Sequence, residues 1–148
     1  MARILDTRGF LDGICDLLNR GETAVPIPVV GGSMVPFLIN GDTAYLDLPT
    51  TPIRRGDILL YTRASGAYIL HRVYRVKKDG SLVMVGDAQT ELEHLPSQSQ
   101  VHGRVSFVRH RGKVNRPGQL RWWAFSHLWL WLLPLRPRLM QLREKFRK

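Results

Sequence analysis

The strongest constraint on this chain is a row of short, strand-like runs between residues 24 and 110, separated by turn pairs. "AVPIPVV" (24–30) is short, β-branched and broken by prolines. "TAYLDL" (43–48) and "DILLYT" (57–62) alternate, and "AYILHRVYRV" (67–76) is a long strand. "KKDG" (77–80) supplies the positive φ that a tight hairpin needs, so "SLVMV" (81–85) reads as the partner of 67–76. "VHGRVSFVRH" (101–110) is a further strand, with a bulge expected at Gly103. Gly41-Asp42, Gly56-Asp57 and Gly86-Asp87 read as turns. Runs this short, punctuated this closely, predict a small, mostly antiparallel β-domain.

The two ends differ from this middle. Residues 1–22 predict an amphipathic helix, with Ile4, Leu5, Phe10, Leu11, Ile14, Leu17 and Leu18 at helical spacing and Gly21 as its stop. Asp6, Asp12 and Asp16 interrupt the apolar core that a secretory signal requires, so no signal peptide is expected. At the other end, all four tryptophans fall within "WWAFSHLWLWLLPL" (122–135). At about 1.5 Å per helical residue this stretch reaches roughly 21 Å, short of a hydrocarbon core of about 30 Å. Pro134 and Pro137 interrupt it, and residues 138–148 form a basic amphipathic segment with Leu139, Leu142 and Phe146 on one face.

Charge follows the same division. Residues 1–102 carry ten Lys/Arg and eleven Asp/Glu, whereas residues 103–148 carry twelve Lys/Arg and one acid, Glu144. Tryptophan and arginine together suit an anionic membrane surface. The same apolar stretch also suits packing back onto the domain, and both readings stand. Basic charge alone is a nonspecific sign of nucleic acid, which is not the partner expected. The expected organisation is a helix over 1–22, a β-domain over 23–112 and a basic, Trp-rich tail over 113–148. At 148 residues the chain fits one domain.

Cys15 is alone, so no internal disulfide forms, and no Cys/His spacing matches a zinc site. No cofactor or metal is expected. The candidate chemistry lies elsewhere. Ser33 follows "IPVV" and two glycines; without Cβ atoms, Gly31 and Gly32 let a substrate carbonyl approach the backbone, and the Ser33 N–H is a candidate oxyanion donor. A serine needs a base. His71 is the candidate, placed by alternation on one face with Ile69 and Val73, where shielding favours its neutral form. Asp87 falls near the same end of the hairpin and is the candidate orienting acid. Each has an ordinary counterpart: a glycine-rich loop, a core histidine and a turn aspartate.

Taken together, "GGSMVPFLINGDTAYL", "RRGDILLY", "ILHRVYRV", "VGDAQ" and "VHGRV" resemble, in order, the boxes of the signal peptidase I family, within the serine peptidases that include the SOS-repressor self-cleavage domains. The resemblance covers residues 24–110. It implies a fold of small coiled sheets, a Ser33 nucleophile in a Ser-Met-x-Pro box framed by Met34 and Pro36, and a general base at position 71. Histidine there resembles the Ser-His subtype of endoplasmic-reticulum, archaeal and some Gram-positive signal peptidases. Asp87 matches the supporting acid, and Glu93, in "TELEHL", is a weaker match to the subtype's second acid. Where some members place an oxyanion-binding serine, this chain has Gly31, which leaves more of that work to the backbone. The expected activity is a serine endopeptidase acting through an acyl-enzyme on a peptide or preprotein. The alternative is a non-catalytic peptide-binding or membrane-adaptor module. Family members carry a transmembrane helix before the serine box; here the only lipid-directed segment is C-terminal. The expected location is therefore a membrane surface on its cytoplasmic side.

Overall fold

The computed structural model describes residues 7–147. Helix α1 (Thr7–Asn19) ends at Asn19, before the expected limit at residue 22, and the expected stretch 1–6, with Ile4 and Leu5, lies outside the described residues. It buries Ile14, Cys15 and Leu18, while Phe10 and Leu17 stay exposed. It ends as Gly21 predicts: Gly21 has φ 89°, its N–H donates to the Leu18 carbonyl, and the Glu22 N–H donates to the Leu17 carbonyl. Leu18 seats against Gly103, where a Cβ would lie 3.0 Å from the Leu18 Cδ1.

Among the described residues, eight antiparallel strands form one open sheet: β1 (Val25–Pro28), β2 (Thr43–Asp47), β3 (Ile58–Thr62), β4 (Tyr68–Val76), β5 (Leu82–Val85), β6 (Glu93–Leu95), β7 (Val101–His110) and β8 (Lys113–Asn115). Their order is β1-β2-β7-β3-β4-β5-β6, with β8 on β7. The expected antiparallel β architecture is therefore present. The β4–β5 hairpin closes through Lys77 N–H to the Ser81 carbonyl at 2.9 Å, with Gly80 at φ 85°. The sheet also runs past the expected boundary at residue 113, because β8 completes a hairpin with β7.

Two expectations need correction. β2 alternates, but β3 does not: Ile58 and Leu60 join one apolar cluster with Ile27, Phe37 and Leu46, while Leu59 and Tyr61 join another with Val73, Leu82 and Met84. A strand covered on both faces reads as a continuous apolar run. Of two bulges in β7, the one facing β3 falls at His102 rather than at Gly103, because Leu60 and Tyr61 pair with Gly103 and Val101 and leave His102 as the extra residue, and the one facing β2 falls at Ser106.

A C-terminal arm follows the sheet. It comprises α2 (Leu120–Trp123), a π-turn (Ala124–Leu128), α3 (Trp129–Trp131), a 3-10 turn (Leu133–Leu135) and α4 (Arg136–Arg147). Trp122, Ser126 and Leu130 point inward and are buried. Trp122 packs edge-on against Phe37, with ring centroids 5.4 Å apart. Leu120, Trp123, Leu128, Trp131 and Leu135 point outward and are exposed. The step of five from Trp123 to Leu128 spans the π-turn and keeps the outer stripe on one face. The arm therefore packs and also keeps an apolar outer face. Leu142 and Phe146 of α4 are exposed as well. Among the described residues no helix is long and apolar enough to cross a membrane.

Candidate active site

Ser33 lies on the loop between β1 and β2. The loop is pinned at its base by Val29 N–H to the Asp42 carbonyl (2.9 Å) and Gly41 N–H to the Val29 carbonyl (3.1 Å). Beyond Ser33, the side chains of Met34, Phe37 and Leu38 are buried in the core, and the Leu38 N–H donates to the Met34 carbonyl. Gly31, at φ 88°, makes the turn outward that a residue with a Cβ rarely adopts. A third tether reaches Ser33 itself: its carbonyl accepts the Ala88 N–H at 2.9 Å. A Cβ at Gly86 would lie 2.6 Å from that carbonyl oxygen, so the turn after β5 fits the loop only with glycine. Among the described residues the Ser33 N–H and hydroxyl make no hydrogen bond.

His71 sits on β4, on the face shared with Ile69 and Val73 that alternation predicts. It is 5% exposed. Its Nδ1 lies 3.4 Å from the Tyr61 hydroxyl. That hydroxyl donates in turn to Glu93 Oε1, and Glu93 Oε2 accepts from Arg63 Nε at 2.6 Å. Burial lowers the His71 pKa from its ordinary 6.5; the Glu93 charge partly opposes this, Arg63 adds to it and Asp87 opposes it. Burial, and then the bond to Glu93, push the Tyr61 phenol well above the usual range, so it stays protonated.

Asp87 does not occupy the expected place beside His71. Both its oxygens are taken by Arg72, with Nε to Oδ1 and Nη2 to Oδ2 each 2.8 Å. Neighbours along a strand point to opposite faces. Arg72 therefore turns away from His71 and lies over the Phe37 ring at 4.8 Å. Its Nη1 donates to the Gly56 carbonyl (2.9 Å) and to the Ser126 hydroxyl (3.3 Å). Arg72 and Asp87 are both fully buried. Asp87 thus holds the turn that carries Ala88 to Ser33, and the carboxylate linked to His71 is that of Glu93.

Ser33 and His71 line one groove of about 420 Å³, floored by Met34 and walled by Ile27, Val29 and Leu70. A second hollow of about 730 Å³, under α4, meets it at Arg63, His71 and Gln89, so His71 stands where the two join. β5 pairs with β4 only from Arg72 onward, so residues 68–71 keep one edge without a strand among the described residues. Gly31 also lines the groove, but Gly32 and Pro36 do not. The Gly32 carbonyl turns into the loop to accept the Val35 N–H, and the Pro36 carbonyl accepts from Arg121 in the arm at 3.0 Å.

Other reactive groups are engaged elsewhere. His102 faces Thr62, and His110 bonds Asp42 at 2.5 Å. The Cys15 thiol is buried against the Tyr68 hydroxyl, and burial raises its pKa. Among the described residues no cluster of three His, Cys, Asp or Glu is placed to hold a metal ion.

Sequence reasoning missed Tyr61, Arg63 and Arg72. Only Arg72 left a signal, a charge next to His71 and between the apolar residues Leu70 and Val73. No family model matches the chain, and no curated protein matches it.

Proposed function

We propose that the chain is a serine endopeptidase of signal-peptidase-like type, with Ser33 as nucleophile and His71 as general base. The observation that carries this reading is the shared groove: a serine with an unengaged hydroxyl and N–H, and a buried histidine held neutral, line the same cavity. The Ser33 Oγ attacks a peptide carbonyl and its proton passes to His71 Nε2. The Oγ–C bond forms, and the C–N bond breaks as that proton moves to the departing amine. Water, deprotonated by the same imidazole, then hydrolyses the acyl-enzyme. The Ser33 N–H faces the developing oxyanion. An extended peptide fits along the open edge at residues 68–71, where strand addition supplies main-chain bonds and the apolar walls select apolar side chains. On this reading the open sheet is the coiled-sheet fold of that family.

The arm completes the proposal. Its outer stripe of Leu120, Trp123, Leu128, Trp131 and Leu135, with the basic content of residues 103–148, favours the surface of an anionic membrane.

The test is covalent. A serine-directed acylating probe should give a single adduct on Ser33 by mass spectrometry, lost in Ser33→Ala without a change in melting temperature. A wild-type protein that takes no adduct, or an S33A protein that still hydrolyses peptide, overturns the reading. The competing reading, a non-catalytic peptide-binding module, draws on the missing Ser33–His71 hydrogen bond, although such bonds often tighten only with substrate bound.

A further inference from the structure

We infer that Tyr61 is a positioning residue for His71: its phenol stands between the imidazole and Glu93 and holds His71 as the tautomer with the proton on Nδ1. The reasoning rests on counting protons. A phenol carries one hydrogen. Tyr61 gives that hydrogen to Glu93 Oε1, a carboxylate oriented by Arg63 on its other oxygen. Towards His71 the Tyr61 oxygen can then only accept. The Nδ1 facing it at 3.4 Å must supply the hydrogen. Nε2 is left with a free lone pair, which is what a base needs to take a serine proton.

The groups around the ring agree with this assignment. The charges that act on His71 are Glu93 of β6, Arg63 just beyond β3, and Asp87 of the turn after β5. Asp87 is bound to Arg72 on the opposite face, so it offers Nδ1 no acceptor. Among the described residues Tyr61 is the one hydrogen-bond partner of the His71 ring. The acid thus acts at one remove. The phenol orients the ring, and the carboxylate orients the phenol.

The tautomer part of this inference is independent of catalysis; its consequence for rate rests on the peptidase reading. Long-range ¹H–¹⁵N correlation of the histidine side chains reads which nitrogen carries the proton. Wild type should show His71 protonated on Nδ1. Tyr61→Phe, of nearly the same shape, should show a mixed population. Its acylation rate constant should fall about five- to tenfold, the size of one neutral hydrogen bond, with KM unchanged. An Nε2–H tautomer in the wild type, or an unchanged tautomer in Y61F, overturns the inference. A loss of rate matched by a loss of melting temperature, with the tautomer unmoved, also overturns it, because Tyr61 is then only structural. If the tautomer shifts as expected but wild-type Ser33 takes no adduct, the positioning role stands and the peptidase reading fails.

Discussion

Removing Asp87 should damage the fold before it damages any chemistry. In Asp87→Leu, the Arg72 guanidinium keeps its contacts to Gly56 and Ser126 but loses both carboxylate bonds, in a site with no solvent exposure. No screening by water reduces the effect. Breaking one side of a buried ion pair costs about 3–5 kcal/mol. That is a large share of the roughly 5–15 kcal/mol that holds a domain together. At about 2–4 °C per kcal/mol for a chain of this size, the melting temperature should fall by about 6–20 °C. Arg72→Met alone strands the carboxylate instead and should cost a similar amount. The double variant, Arg72→Met with Asp87→Leu, removes both charges and should recover most of the loss. Thermal unfolding of the four proteins by circular dichroism at pH 7 closes the cycle. A single-variant loss below about 1 kcal/mol, the range of an exposed pair, would refute the reasoning. So would a double variant no more stable than the sum of the singles predicts.

Acylation of Ser33 needs neutral His71, so its rate should fall with falling pH, with a midpoint below the ordinary 6.5; a midpoint above 6.5 contradicts a buried base. His71 releases its proton more readily in the folded state than in the unfolded chain. Its contribution to stability is therefore present above pH 6.5 and is lost as pH falls through the lower folded value, which acid titration of wild type against His71→Gln measures. Gly86→Ala places a methyl 2.6 Å from the Ser33 carbonyl and should slow acylation at least about 100-fold by displacing the loop; an unaltered rate shows that the loop position does not matter. Trp123→Ser with Trp131→Ser should weaken binding to anionic vesicles about tenfold or more, and 0.5 M salt (about five times a 0.1 M buffer) should weaken wild-type binding too. Equal flotation of variant and wild type removes the arm from the membrane.

The parts of the fold that local rules decide were legible. Alternation placed β2, and the Asp-Gly pair placed the β4–β5 turn, because both act within a few residues. β3 was misread because its second apolar face answers to β5 and β6, which no local window contains. The site divides the same way. Ser33 and His71 stand out by residue type, whereas Asp87 rests on its nearness in the hairpin and on the Gly-Asp box of the resemblance. Residue 72 held the correction: an arginine that is fully buried needs a buried carboxylate, and Arg72 and His71 face opposite ways. With Asp87 committed to Arg72, the carboxylate that reaches His71, through Tyr61, is that of Glu93. Glu93 arrives on β6, a strand of three residues, too short to announce itself. The choice between a packed and a lipid-facing tail was open in the sequence because a two-faced helix satisfies both. The inner face carries the further consequence. Ser126 holds Arg72, the Trp129 indole N–H donates to the Asp87 carbonyl at 2.8 Å, and Arg136, buried, donates to the carbonyls of Gly86 and Gln89. Every one of these contacts lands on the turn that tethers Ser33 or on the ion pair beneath it. The arm is therefore part of the frame of the site.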